Sequence, residues 1–228
     1  MSWVLIGDSF AGVVVPDGRT VSPYPVRVES LALTFTSGWA SGINSYLVLL
    51  VLGIADRVGS VEEIPDVLGR TEVLGIAALL YAFEFVADKV PYVDSAWDAV
   101  STAIRPVVGG VLGVLFAGDS ESLNALAGGS VGGGTALVSH TVKSGTRIAA
   151  NTSPEPFTNL GISLAEDVVV LGVVWFAIEH PVLAAVIAGI LLLLGLLLLW
   201  LAWKLVRRGW RRLKAWRERR QERVGGVP

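Results

Sequence analysis

Two acidic residues lie inside apolar stretches of this chain, where a charge is costly. Glu84 lies in VLGIAALLYAFEFVADKV, and Glu166 lies in LGISLAEDVVVLGVVWFAI. A carboxylate at the centre of a membrane helix costs about 2.5–3.5 kcal/mol on insertion scales and usually faces a protein interior or a wet cavity. Carboxylates held in this way commonly take up protons, so both positions predict a polar site between membrane helices.

Basic residues with helical spacing oppose these acids. His140, Lys143 and Arg147 follow one another by three and four residues, which places them on one face of a helix. Lys143 and Arg147 are expected to hold an anionic group, and His140 is expected to take part in proton relay. The residues predicted to bind substrate or coupling protons are Glu84, Asp88, His140, Lys143, Arg147, Glu166 and Asp167.

A second polar set is expected to form structural ion pairs near the cytoplasmic membrane surface, because unpaired charges are not tolerated in a low dielectric. It consists of Lys89, Asp94, Asp98, Arg105, Asn151 and Glu155. No HExxH, EF-hand or paired E-x-x-H motif occurs, so metal binding stays undecided, and no cofactor is expected. The chain has no cysteine, which excludes disulfides and thiolate metal sites.

The elements that must position these residues are apolar segments long enough to cross a membrane. The chain is 53% hydrophobic over 228 residues, which is unusual for a soluble domain. The sixth segment is the clearest span, and glycines make the third and fourth the weakest. We therefore predict an all-α, polytopic transmembrane helix bundle with segments at about 30–55, 73–91, 97–117, 123–147, 159–179 and 182–206.

The flanks of this transmembrane domain (30–206) differ in character. Residues 1–29 contain three prolines and are expected to form an extended arm or a short β-like turn. Residues 207–228 belong to a basic, amphipathic tail: ten of the 18 Lys and Arg residues lie between Lys204 and Arg223. The tail is expected to be cytoplasmic, where it either contacts anionic lipids or simply anchors the last span.

With six spans, both termini are expected in the cytoplasm and the protein in the bacterial inner (plasma) membrane. A nucleic-acid partner is excluded because the basic cluster adjoins a membrane span, and a homo-oligomer is compatible with the sequence. Two weakly similar halves, 30–118 and 122–206, suggest an inverted repeat of three helices each. Gly38 and Gly42 align with Gly129 and Gly133. These glycines are read either as helix breaks or as devices for close helix packing.

The strings EFVADKVPYVDSAWDAVSTAIRP and VKSGTRIAANTSPEPFTNLGISLAED resemble a family of small multi-pass bacterial membrane proteins known only as a domain of unknown function. The resemblance runs from about residue 31 to 181 and implies no activity. The stretch GGSVGGGT is also similar to small-residue motifs of polyprenyl-phosphate carriers. By resemblance, the motif residues are Glu84, Asp88, Lys89, Asp94, Asp98, Arg105, Lys143, Arg147, Asn151, Glu155, Glu166 and Asp167.

Several functions remain open at this point. The favoured one is a small secondary transporter or carrier of an anionic or lipid-phosphate substrate, with carboxylates that take up coupling protons. An intramembrane enzyme acting on lipid headgroups would instead use Glu84, Asp88, Asp94 and Asp98 to bind a divalent ion. A non-catalytic scaffold would use the charges only to hold the bundle, and a channel ranks lower because the charges mix both signs.

Overall fold

The computed structural model describes residues 2–6, 9–14, 20–21, 28–59, 63–90, 93–118, 122–150 and 156–225. These residues contain six helices, and each one overlaps a predicted apolar segment. They are α1 (Val28–Val58), α2 (Thr71–Ala87), α3 (Val93–Ala117), α4 (Ser122–Ala150), α5 (Pro156–Glu179) and α6 (Pro181–Gly225). The predicted helical bundle is confirmed. Asn151 and Glu155 lie outside the described residues, and the side chain of Asp94 is not described.

The N-terminal arm contains three short strands where an extended arm or a β-like turn was expected. They are β1 (Ser2–Ile6), β2 (Ser9–Val14) and β3 (Thr20–Val21). Both pairings are antiparallel in the order β1-β2-β3, and the register of the first pair shifts between Val4 and Leu5.

Four of the helices in the described part of the chain are long and apolar enough to cross a membrane: α1, α3, α5 and α6. Large apolar side chains on α6, such as Leu193, Leu198 and Trp200, are more than half exposed. So much bare apolar surface requires a cover of lipid, and the protein is therefore membrane-embedded. Helix α3 is among these candidate spans although its glycines were expected to weaken it. Helix α2 is not among them, because it has only 17 residues.

Glycines bring α1, α3 and α4 into backbone contact. A methyl group on Gly42 would overlap the carbonyl oxygen of Ala136, and one on Gly109 would lie 2.6 Å from the carbonyl oxygen of Gly132. Helix α4 runs unbroken through Gly129 and Gly133, and α1 stays helical at Gly38 and Gly42. The helix breaks predicted at these four glycines are wrong, because close helix packing is what the missing side chains permit here.

The same contacts fix the directions of three helices. Gly38 lies beside Gly132 and Gly42 beside Ala136, so α1 and α4 run in the same direction. Gly113 contacts Gly128 and Gly109 contacts Gly132, so α3 runs opposite to α4 and therefore to α1. In an inverted three-helix repeat the first and fourth helices would run in opposite directions. The predicted inverted repeat is therefore wrong.

Helix α2 belongs to a connection that begins and ends on the same side of the bundle. Since α1 and α3 are antiparallel, the end of α1 and the start of α3 lie on one side, and α2 joins them. Leu74, near the start of α2, packs at Gly53, and Asp88, just past its end, reaches the side chain of Lys143 near the middle of α1. The full crossing predicted for this segment is therefore replaced by a helix that covers only the second half of α1.

Helix α6 runs in the same direction as α4 and α1. A methyl group on Gly195 would meet Val142, and one on Gly145 would meet Leu199. The start of α1 and the end of the apolar part of α6 consequently lie at opposite ends of the bundle. This arrangement does not fit the expectation that both termini lie on one side of the membrane.

Candidate functional site

The backbone of α1 is interrupted at Asn44, one residue past the midpoint of this 31-residue helix. Asn44 has φ −149° and ψ 94°, which is extended rather than helical. Its side-chain Oδ1 accepts a hydrogen bond of 3.0 Å from the backbone N–H of Leu47. This is the geometry of an N-cap, so the second half of α1 begins as a new helix inside the bundle. Irregular backbone at this depth must be satisfied by protein or water.

Two cations contact the carbonyl groups that end the first half of α1. Because the Leu47 N–H bonds to the Asn44 side chain, it does not serve the carbonyl of Ile43 in the usual helical manner. Nζ of Lys143 donates to that carbonyl oxygen at 2.8 Å. Nη1 of Arg105 donates to the Gly42 carbonyl oxygen at 3.4 Å. Positive charge at the C-terminal end of a half-helix is electrostatically favourable.

Around Arg105 lies a group of polar side chains, all of them buried except the exposed Thr102. We call it the Arg105 cluster: Glu84, Asp98, Thr102, Arg105 and His140. Nη2 of Arg105 contacts Oε1 of Glu84 at 2.6 Å, and Nη1 lies 3.4 Å from Oδ1 of Asp98. The side chains of Arg105 and Glu84 are 2% and 1% exposed. Oε2 of Glu84 has no hydrogen-bond partner among the described residues.

Hydrogen bonding assigns the protonation of His140. Arg105 can only donate, so Nδ1 of His140, 2.6 Å from Nη1, accepts and carries no proton. Nε2–H then donates to Oγ1 of Thr102 at 2.9 Å, and that hydroxyl donates to the carbonyl oxygen of Asp98. His140 is therefore neutral and serves Arg105 as an acceptor. An arginine separates His140 from Glu84, which does not favour the predicted relay of protons between them.

A second group, the Lys143 cluster, lies at the same break: Asp88, Lys143, Arg147 and Glu166. Oδ2 of Asp88 lies 3.3 Å from Nζ of Lys143 and 2.8 Å from Nη2 of Arg147. Oε2 of Glu166 lies 3.4 Å and 3.0 Å from the same two nitrogens. Each cation is thus shared by both carboxylates, and the side chain of Glu166, at 17%, is the most exposed member.

Asp167 joins this cluster to the break itself. Its Oδ1 accepts a 2.9 Å hydrogen bond from Nδ2 of Asn44. Lys89 stays apart from the ion pairs: its ammonium donates to the carbonyl oxygen of Phe85 and lies over the Phe85 ring. The charges thus come from α2, α3, α4 and α5 and meet at one interruption in α1.

The residues predicted to bind substrate or protons all lie in these two clusters except Asp167, which lies beside them on Asn44. Lys143 and Arg147 do contact Glu166, as expected. The expected pairing is wrong for Glu84, which contacts Arg105 instead. The sequence also missed Asn44, because one Asn inside an apolar segment, without the other signals of a helix start, is a weak sign of an N-cap. Asp98 and Arg105, expected at the membrane surface, are buried beside the break.

A divalent-ion site receives no support in the described part of the chain. No three His, Asp or Glu side chains there are arranged to hold a metal ion. Glu84, Asp88 and Asp98 face arginine or lysine instead.

The profile of a protein family, described as "Domain of unknown function (DUF4126)", matches residues 31–202. This range contains all six helices up to the end of the apolar part of α6 and both clusters. No curated protein and no solved structure matches the chain significantly.

Proposed function

The chain belongs to this family of unknown function, and we propose that it is a secondary transporter in which an anionic substrate and protons meet at the break in α1. The observation that carries the proposal is the Lys143 cluster, in which Asp88 and Glu166 occupy both cations beside an interrupted helix. Interrupted helices at mid-membrane are the usual binding elements of secondary transporters.

The two carboxylates stand where an anionic group of the substrate would bind. While Asp88 and Glu166 are ionised, they compete with any other anion for Lys143 and Arg147. Protonation removes their charge and weakens both pairs, since hydrogen bonds between ions are about twice as strong as neutral ones. The cations then become available to a phosphate or carboxylate, and each bound proton compensates one negative charge on the substrate.

The basic tail determines the orientation we propose. Ten Lys and Arg residues between 204 and 223 favour the cytoplasmic side. The N-terminal end of α1 then lies on the outer side, and the connection that contains α2 begins and ends on the cytoplasmic side. A bacterial plasma membrane fits this orientation.

The proposal is tested in proteoliposomes that contain the pH dye pyranine. Inorganic phosphate, a short-chain isoprenyl phosphate and succinate are added outside, one at a time. We expect at least one anion to carry protons inward and acidify the lumen. Glu166→Gln should abolish this entry, because a neutral amide cannot release and take up the coupling proton.

Glu179→Gln is the matched control, because this residue is an exposed glutamate near the end of the same helix. It should leave proton entry unchanged. Anion-independent acidification, or equal proton entry with Glu166→Gln and with the native chain, would contradict the proposed coupling. The two phosphates separate a free phosphate from a lipid phosphate as the preferred substrate.

A scaffold is the second candidate, because every cation in the two clusters already has an acidic partner. A scaffold requires only that the pairs hold the helices together. It predicts that Glu166→Gln lowers protein stability and abundance and that none of the three anions moves protons through the native protein.

A further inference from the structure

The C-terminal part of α6 has two chemically distinct faces. Helix α6 continues to residue 225, well past its apolar run, which ends at Trp203 because Lys204 follows. At 3.6 residues per turn, the apolar side chains of residues 203–216 fall on about one half of the circumference. They are Trp203, Leu205, Val206, Trp210, Leu213 and Trp216. The other half carries Lys204, Arg207, Arg208, Arg211, Arg212 and Lys214.

The first half of the apolar face of this amphipathic segment (residues 203–216) is largely exposed in the structure. Trp203 is 66% exposed, Trp210 is 75% exposed, and Leu205 and Val206 are also largely exposed. Large apolar side chains exposed together on one helix face usually mark a surface that contacts another molecule or a membrane.

Charge identifies what covers the face. The segment contains six basic residues and no acidic one, so a parallel second copy would bring two strongly positive helices together. A neutral protein partner would cover the apolar stripe but leave the opposite face without counter-charge. An anionic membrane surface satisfies both faces, with tryptophans at the headgroup level and phosphates beside the Lys and Arg side chains.

We propose that the amphipathic segment, which continues α6 without interruption, binds anionic phospholipid headgroups where it leaves the last span, with its apolar face turned towards the bilayer. This inference is independent of transport, because it rests on α6 beyond the two clusters. Each basic residue near an anionic surface contributes about fivefold to the association, and salt weakens the contribution.

The experiment uses the full chain, which has no native cysteine, in single-copy nanodiscs of phosphatidylcholine with or without 30% phosphatidylglycerol. A spin label at Gly209→Cys reports the apolar face, because residue 209 falls on that half of the helix. The label fits there, since nothing lies within 4 Å of a side chain built at Gly209. The matched label at Ala215→Cys lies on the basic half of the turn. Accessibility to oxygen and to a water-soluble nickel chelate gives the depth of each label.

We expect the label at residue 209 to favour oxygen several-fold more than the label at 215, and only in discs with phosphatidylglycerol. The combined variant Arg207→Gln, Arg208→Gln, Arg211→Gln and Arg212→Gln should abolish the difference. Equal water exposure of both labels in both lipids would overturn the proposal. Spin–spin coupling at residue 209 in two-copy discs, without lipid dependence, would assign the face to a second copy instead.

Discussion

The two clusters at the break in α1 use similar residues in different ways. In the Arg105 cluster, a single cation holds two carboxylates and a neutral histidine, and its central pair is about 1–2% exposed. In the Lys143 cluster, two cations share the same two carboxylate oxygens, and Glu166 is partly exposed. The two carboxylates of the Arg105 cluster have no second cation within it. In the Lys143 cluster, one ion pair can be lost and every remaining charge still has a partner of opposite sign.

The difference separates structural charge from exchangeable charge. Removing one partner of a buried ion pair leaves the other charge buried without compensation, which is strongly destabilising, so such a pair stays formed. Where each cation contacts two carboxylates and one of these is partly exposed, that carboxylate can move away and both cations keep an acidic partner. We therefore expect the Arg105 cluster to position α2, α3 and α4, and the proposed transport function would place the exchange of ligands in the Lys143 cluster.

The sharpest way to break this comparison is to remove one arginine from each cluster. Arg105→Gln leaves Glu84 and Asp98 without a cation, and we expect it to lower the free energy of unfolding by about 3–5 kcal/mol. Arg147→Gln should cost only about 1.5 kcal/mol, since Lys143 still contacts both Asp88 and Glu166. Unfolding in mixed micelles with increasing SDS measures both values.

The exposed Arg70 supplies the control, and Arg70→Gln should change the free energy of unfolding by less than about 0.5 kcal/mol. Equal losses for Arg105→Gln and Arg147→Gln would show that redundancy does not distinguish the clusters.

Asn44 tests whether the break holds the two clusters in place. Asn44→Ala removes the cap on Leu47 and the partner of Asp167. The lost cap costs about 1 kcal/mol and the stranded carboxylate about 1–3 kcal/mol. Asn44→Ser retains a capping oxygen but does not reach Asp167, so it should recover about 1 kcal/mol. The same SDS titration applies, and identical losses for both variants would mean that the cap does not stabilise the break.

Alanine substitutions of the α4 glycines should change the free energy of unfolding least. The sign of the change should differ between Gly132 and Gly134, which are two residues apart. A methyl group on Gly132 would overlap the backbone of Gly109, so Gly132→Ala should cost about 1–3 kcal/mol. Nothing lies within 4 Å of a side chain built at Gly134. Gly134→Ala should stabilise the protein by up to about 1 kcal/mol through helix propensity. Thermal unfolding in detergent compares the two, and destabilisation by both would mean that the glycines do not set this interface.

Hydrophobic segments predicted the helices well, because apolar length and composition are local properties. Helix direction was not predictable in the same way. A Gly-xxx-Gly pattern reads the same from either end, so the glycines of α1 and α4 indicate a contact without indicating whether it is parallel. The partial depth of α2 follows from those directions, and it too required the tertiary contacts.

The candidate site was predicted as a set of residues but not as a set of pairs. Spacing placed Lys143 and Arg147 on one face, and the structure puts both against Asp88 and Glu166. Arg105 lies on α3, 35 residues before His140 on α4, and no local sequence pattern predicts that contact. Asn44 was overlooked because a single polar residue in an apolar helix carries a weak signal until its backbone is seen.

The position of Asn44 near the midpoint of α1 also has an electrical consequence. Moving one elementary charge across a membrane held at 100 mV involves about 2.3 kcal/mol. A proton that reaches Asp88 or Glu166 from either side crosses about half of that field, equivalent to about 1.1 kcal/mol. The membrane potential therefore acts directly on the occupancy of these carboxylates, and an energised cell biases the site differently from a de-energised vesicle.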